Sequence, residues 1–303
     1  MDEMLLFALA GVAASLVDGA LGMGFGPTSS SILLSTGLVP TAVSGSVNVA
    51  KVATGLAGAY SHWRFHNLDR GLILNLALPG CIVALLGVTV LSSIPGSTIR
   101  PYLAMMLLVI GLRILVRFSR PLPPRRKDTM PIEGSSKREL VYDKRGVTTA
   151  GFLGGVSNGM IGAWGPVVTP FLLHRGVSPR YAIGSVNTAE VAVAFTAAFS
   201  LIAAIGSGGF QLNVIVPMLV GGVLAAPLAA WTTRHVPARL MGVAVAALLL
   251  LTNARDVIAW AGVTNVTALW CIYGGIVVAS LYAAVRRTAP IEPVAVAPPA
   301  NEA

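Results

Sequence analysis

The sequence has few charged residues: they are only 11% of the 303 residues, whereas 55% are hydrophobic, and the mean hydropathy is +0.77. A soluble globular domain carries about 25% charged residues, so this shortage excludes an ordinary soluble domain. Apolar runs near the length of a membrane span recur at 72–94, 102–115, 214–231, 240–251 and 266–285. Most can cross a hydrocarbon core about 30 Å thick. The fold class predicted from the sequence is therefore an all-α polytopic membrane protein.

Cysteine and histidine are also scarce. Cys81 and Cys271 lie inside apolar runs, and neither a disulfide framework nor a metal-ligand spacing is present. The four histidines form no helical HxxxH pair, and no nucleophile stands in a motif with a base. We therefore predict no metal, no cofactor and no enzymatic activity.

The net charge of +9 would suit a nucleic-acid-binding protein, but its distribution argues against that partner. The Lys and Arg residues flank hydrophobic segments, as the positive-inside rule expects, so the predicted partner is the lipid bilayer. The first apolar segment, 4–17, follows Asp2 and Glu3 instead of a basic region. We interpret it as part of the mature protein and not as a signal peptide.

An internal repeat divides the chain. GSVNVAKVATGLAGAYS at 45–61 matches GSVNTAEVAVAFTAAFS at 184–200, and Gly26-Pro27 matches Gly165-Pro166 in the same register. Such self-similarity indicates two homologous halves. The predicted organisation is a first inverted repeat at 1–118, a basic cytoplasmic linker at 119–145, a second inverted repeat at 146–260, an extra transmembrane helix at 261–288 and a disordered tail at 289–303.

The stretch GMGFGPTSSS at 22–31 interrupts the first apolar segment with glycines and a proline. If 4–17 and 27–36 are half-length helices that enter and return on one side, nearly all basic loop residues fall on the cytoplasmic side. This topology predicts a multi-pass protein of the bacterial inner membrane with its N-terminus outside and its C-terminus in the cytoplasm. The two repeats are then inverted. In secondary transporters, paired broken helices from inverted repeats build the binding site.

At these residues the sequence resembles the sulfite exporter family TauE/SafE. The resemblance rests on the glycine-rich break before Pro27, on AVSGSVNVAKVATGLAGAYSHWRFHNLDRGL at 42–72 and on GMIGAWGPVVTP at 159–170. It covers essentially the whole chain except the linker, the last helix and the tail. The resemblance implies a membrane protein that moves sulfite, sulfoacetate or a related sulfur-containing anion. The helix near 265–285 is additional to the set that the resemblance implies.

Lys51 is the sharpest candidate for the binding site. It stands in an otherwise small and apolar helix, and an ionisable group inside a span is a functional hypothesis by default. Its repeat partner is Glu190, which makes either an ion pair or a proton carrier plausible, so protons are the candidate coupling ion. Asp18, which matches Asn158 in the repeat, is interpreted as a structural partner of Lys51 or as a coupling group.

Polar groups around Lys51 are the candidate substrate contacts. Asn48 and Asn187 each stand three residues before Lys51 and Glu190, on the same helix face, where an amide can bind an oxyanion or join helices. The backbone N–H groups that start a helix after a break attract anions. The predicted site therefore also includes Gly26, Pro27, Thr28, Ser29, Ser30, Gly165 and Pro166.

The predicted function is that of a secondary transporter that exports a small sulfur-containing anion by alternating access. An anion channel, or a permease for another small oxyanion or carboxylate, is the alternative. The exact anion, the direction of flux, the coupling ion and homo-oligomerisation stay open at this point.

Overall fold

The computed structural model describes residues 2–21, 23–120, 129–131, 138–140, 144–206, 211–235 and 238–285. These residues form eleven helices and two short strands. The helices are α1 (Asp2–Leu21), α2 (Phe25–Ser35), α3 (Pro40–Arg64), α4 (Arg70–Ser93), α5 (Gly96–Ser119), α6 (Val147–Ile161), α7 (Gly165–His174), α8 (Pro179–Ile205), α9 (Leu212–His235), α10 (Ala238–Trp260) and α11 (Val266–Val285). The strands are β1 (Thr129–Pro131) and β2 (Arg138–Leu140).

Five of the described helices are long and apolar enough to cross a membrane: α4, α5, α8, α10 and α11. A shorter apolar stretch, Leu212–Ala225, lies in α9. Large apolar side chains on these helices are exposed, such as Leu78 at 62% and Val109 at 62%. An outward-facing apolar surface suits a lipid environment, and the structure confirms the prediction of an all-α polytopic membrane protein.

The two helix breaks lie where the glycines predict them, but α1 is longer than expected. It runs for 20 residues, about 30 Å, and is not the half-length helix that was expected over 4–17. Close contact with α9 supports this length: a Cβ on Gly11 would lie 2.1 Å from the carbonyl oxygen of Met218. The partners α2, α6 and α7 are short, with 11, 15 and 10 residues.

The second break is made by the left-handed backbone of Gly162, whose φ of +68° favours glycine. The N–H groups of Gly162 and Ala163 donate to the carbonyl oxygens of Asn158 (2.8 Å) and Ser157 (3.3 Å), which closes the end of α6. The next helix, α7, then begins at Gly165 with Pro166 in its first turn, where proline needs no N–H partner.

The packing of the helices follows the sequence repeat. Helix α1 packs along α9 and α6 along α4, while α3 packs with α8 and α5 with α10. Suppose that α1 to α5 correspond to α6 to α10. The α1–α9 contact then corresponds to the α6–α4 contact, whereas the α3–α8 and α5–α10 contacts each correspond to themselves. The main helix contacts therefore have the pattern of a pseudo-twofold axis.

Each broken pair returns to the end of the molecule from which it starts. A Cβ on Gly146, before α6, would lie 3.1 Å from the ring of Phe171 near the end of α7. Residues from the start of α1 and the end of α2 line one cavity together with Asn213 of α9. Three long helices, α3, α4 and α5, run between the two broken pairs. Since three successive crossings lead from one end of the molecule to the other, the two pairs start from opposite ends. The inversion of the repeats relative to a bilayer stays a prediction.

Two segments lie outside the repeated core. Helix α11 packs on α10 and α5 and buries only Ser280 and Ala283. In the linker, where no regular structure was expected, β1 and β2 pair as antiparallel strands. The remainder of the linker (121–128, 132–137 and 141–143) and the predicted tail at 289–303 lie outside the described residues.

Candidate functional site

The two helix breaks cross in direct contact. A Cβ on Gly26 would lie 1.7 Å from the carbonyl oxygen of Gly162, and a Cβ on Gly165 would lie 2.7 Å from the Cα of Met23. In the repeat register Gly26 matches Gly165, and each of these glycines contacts the break of the other half. The two contacts are therefore related by the repeat. Glycine is needed at both helix starts because a side chain would separate the two breaks.

Lys51 lies at this crossing, 4% exposed. Its Nζ donates to Asn158 Oδ1 at 2.9 Å and to the carbonyl oxygen of Gly162 at 2.6 Å, and it forms an ion pair with Glu190. The structure therefore brings Lys51 and Glu190 together. An ammonium group has three N–H donors, and these three acceptors satisfy all of them.

Lys51 has no donor left for an anion in this conformation. A further acceptor could bind this ammonium only by replacing one of these three, of which the Glu190 carboxylate is the anionic one. Removing either partner of a buried ion pair leaves an uncompensated charge, which is strongly unfavourable. Loss of the Glu190 carboxylate would therefore leave the buried Lys51 ammonium without its counter-charge.

A small cavity joins four of the predicted residues: Asp18, Lys51, Asn187 and Glu190. Its volume is about 50 Å³, enough for one or two water molecules. The Oδ1 atom of Asn187 is buried and has no hydrogen-bond partner among the described residues. The cavity thus has an unused polar group beside the ion pair, but it is too small to hold a sulfur oxyanion.

Asp18 stabilises the start of α2. Its Oδ1 accepts from the backbone N–H groups of Gly24 at 3.0 Å and Phe25 at 3.2 Å, and it forms no ion pair with Lys51. Such a side chain satisfies the N–H groups that a helix start leaves free. The carboxylate therefore occupies part of the position where an anion was expected to bind at the first break.

Asn48 lies behind Lys51 and does not line the cavity. Fully buried, it donates to the carbonyl oxygen of Ser44 at 2.9 Å and accepts from Asn158 Nδ2 at 2.8 Å. Asn158 thus connects Asn48 and Lys51 across the two halves. It was not among the predicted site residues, although its repeat match with Asp18 was the signal that could have identified it.

Two of the predicted hydroxyl groups of α2 form hydrogen bonds to backbone carbonyl oxygens. Ser29 Oγ donates to the carbonyl oxygen of Phe25 at 2.5 Å, and Ser30 Oγ donates to that of Ile161 at 2.6 Å. Thr28 Oγ1 is buried with no partner among the described residues. These residues, together with Pro27, do not line the cavity at Lys51. Pro166 lines a separate cavity beside the end of α5.

A second polar contact, which the sequence did not predict, ties α2 to α10. Ser31 Oγ lies 2.5 Å from Thr252 Oγ1 and accepts from Asn253 Nδ2. In the described part of the chain there is no group of His, Cys, Asp and Glu that could hold a metal ion. Among the described residues, the polar groups around the buried Lys51–Glu190 pair are therefore hydroxyls, amides and the Asp18 carboxylate.

Broken helices that cross around a buried ion pair, within a polytopic helical fold, define a membrane transporter as the class of protein. Comparison with known proteins agrees. The family described as sulfite exporter TauE/SafE matches residues 7–255, and the chain belongs to this family. Helix α11 lies beyond the matched residues.

A curated relative supports the same class. The chain is 36% identical over 260 residues to the probable membrane transporter protein YtnM of Bacillus subtilis (strain 168), a match that covers 85% of this chain and 84% of the relative. No solved structure matches the chain. Family and relative both point to a transporter and away from an enzyme.

Proposed function

We propose that the protein is a secondary transporter of the bacterial inner membrane that exports a small sulfur-containing oxyanion, such as sulfite or sulfoacetate, by alternating access. The proposed topology has the N-terminus outside and the C-terminus in the cytoplasm. The observation that carries the proposal is the buried Lys51 ammonium at the crossing of the two helix breaks. The family description supplies the substrate class.

Replacement of Glu190 by the substrate is the central step of the proposed mechanism. When the helices around the cavity separate, the anion takes the place of the Glu190 carboxylate on Lys51, and Asn187 supplies a further polar contact. Substrate and Glu190 compete for one cation, so the empty and loaded carriers both keep Lys51 paired. This competition avoids an unpaired buried charge during the transport cycle.

Competition at Lys51 also predicts a link to protons. A proton on Glu190 removes its negative charge and releases Lys51, so bound proton and bound anion favour each other. By thermodynamic linkage the effect is reciprocal. Anion and proton then move in the same direction across the membrane. For each net negative charge that leaves the cell, an inside-negative potential makes the free energy of transport more favourable by about 2.3 kcal/mol per 100 mV.

The test of the proposed function is uptake of radiolabelled sulfite and sulfoacetate into proteoliposomes of the full chain. A carrier gives saturable uptake that is accelerated by unlabelled anion on the opposite side, and a proton-linked carrier is stimulated by a pH gradient. Linear flux without acceleration by counter-substrate would favour the anion channel. If neither anion enters the vesicles, the proposed substrate class is wrong.

A further inference from the structure

A second cavity of about 470 Å³ opens at the end of the molecule where the linker begins. Its lining combines Arg113 and Arg117 on the last turns of α5, Arg120 directly after α5, and His174 at the end of α7. We name this cavity the arginine vestibule. No Asp or Glu residue is among its described lining residues.

Arg113 and Arg117 form a stripe on one face of α5, because they are four residues apart, and Arg120 follows directly after the helix end. None of them forms an ion pair with a carboxylate in the described part of the chain. Like charges at this spacing repel each other. Basic residues at the end of a span also serve topology, but that role does not require them to share a cavity.

The vestibule reaches both helix breaks, since Met23 and Pro166 also line it. Met23 contacts Gly165, because a Cβ on that glycine would lie 2.7 Å from the Cα of Met23. Gly26, three residues after Met23, lies beside Lys51: a Cβ on it would be 3.2 Å from Nζ. The first break therefore separates the arginine vestibule from the Lys51 site by only a few residues.

We propose that the arginine vestibule is a second oxyanion-binding site, which takes soluble anions of the sulfite, sulfate and sulfonate class and loads the Lys51 site from the linker side. Guanidinium groups bind such oxygens in bidentate pairs, and the bound anion relieves the repulsion along the stripe. The loading role rests on the proposed transport function. Binding of the anion does not.

Binding is tested with radiolabelled sulfite on the full chain in phosphatidylcholine nanodiscs. The background is Lys51→Met/Glu190→Gln, which removes the ion pair at the other site. We expect sulfite to bind, and Arg113→Gln/Arg117→Gln to weaken it about tenfold, because hydrogen bonds to charged groups are lost. The matched control is Arg255→Gln on α10, an exposed arginine that does not line the vestibule and should change nothing. Unchanged binding in the double-arginine variant, or no binding in the background protein, overturns the proposal.

Loading is tested by uptake kinetics in proteoliposomes with Lys51 and Glu190 intact. The double-arginine variant should raise the KM for sulfite about tenfold with little change in maximal rate, because loss of uniform binding affects KM alone. Normal KM overturns the loading role. Sulfite binding that depends on the arginines, in a protein that transports nothing, would instead contradict the proposed function and leave the vestibule site intact.

An anionic lipid headgroup offers the same oxyanion chemistry, so the binding measurement is repeated in nanodiscs that contain phosphatidylglycerol. We expect the arginine-dependent binding of sulfite to persist. Loss of that binding at constant ionic strength would identify the lipid phosphate as the occupant and would overturn loading by a soluble anion.

Discussion

The two halves of the molecule share a backbone plan but differ in chemistry at several matched polar positions. The first half has Asp18, Lys51 and a hydroxyl-rich α2, whereas the second has Asn158, Glu190 and a largely apolar α7. The scaffold is pseudo-symmetric, while the charges are complementary. A symmetric pair of lysines would repel at the crossing, and the Lys–Glu pair replaces that repulsion with attraction.

Asn158, the neutral residue that matches Asp18, forms side-chain hydrogen bonds across the two halves, whereas Asp18 accepts hydrogen bonds from the backbone of its own half. Asp18 stabilises the start of its own half's α2, but Asn158 reaches across to Lys51 and Asn48. An amide offers both donors and an acceptor, so it can serve Asn48 and Lys51 at once. A carboxylate at 158 would meet the Asn48 Oδ1 atom without a hydrogen to donate. The difference between the halves is therefore what lets their polar residues interlock.

The largest expected effect comes from separating the crossed breaks. Gly26→Ala puts a Cβ where the carbonyl oxygen of Gly162 lies, so we expect little or no folded protein. Gly165→Ala should be milder, because its contact is less severe. Yield of monodisperse protein by size-exclusion chromatography measures both. The control is Gly274→Ala, where a Cβ meets no atom within 4 Å. Equal yields from all three would contradict the crossing.

Next in size is the loss of one charge. Lys51→Met leaves Glu190 unpaired and should lower the free energy of unfolding by about 3–5 kcal/mol, as for other broken buried pairs. Lys51→Met/Glu190→Gln should recover most of that loss. Thermal unfolding in one detergent compares the two variants. A double variant no more stable than the single one would show that the pair does not couple the halves.

Exchanging the two charges sharpens the comparison between halves. Lys51→Glu/Glu190→Lys keeps an ion pair but turns the carboxylate toward Asn158 Oδ1 and the carbonyl oxygen of Gly162, which now serve Lys51 as acceptors. We expect this variant to unfold at lower temperature than Lys51→Met/Glu190→Gln. If it is equally stable and transports normally, the two positions are interchangeable and the asymmetry has no role.

The smallest effect concerns the start of α2. Asp18→Ala removes the acceptor for two backbone N–H groups and should destabilise the protein by about 1 kcal/mol, the usual value for a lost N-terminal cap. Asp18→Asn keeps an oxygen acceptor and should be close to wild type. Thermal unfolding distinguishes the variants. If Asp18→Asn fails to fold, the negative charge of Asp18 is essential for a reason other than capping α2.

The sequence predicted the helix breaks from residue types, and the repeat register raised an ion pair between Lys51 and Glu190 as one of two alternatives. It left open whether Asn48 binds substrate or joins helices, and it did not predict the bridge through Asn158, because these contacts depend on how the two halves cross. The length of α1 was also missed. Glycines at 11 and 221 let α1 and α9 approach closely, and this packing supports a helix longer than the apolar pattern suggested.

The most direct test of the account is counterflow of radiolabelled sulfite in proteoliposomes of the wild type and of Lys51→Met/Glu190→Gln, with equal amounts of folded protein. We expect unlabelled sulfite on the opposite side to accelerate uptake by the wild type, whereas the double variant should show no counterflow. Equal counterflow in both proteins would contradict Lys51 as the group that binds the transported anion.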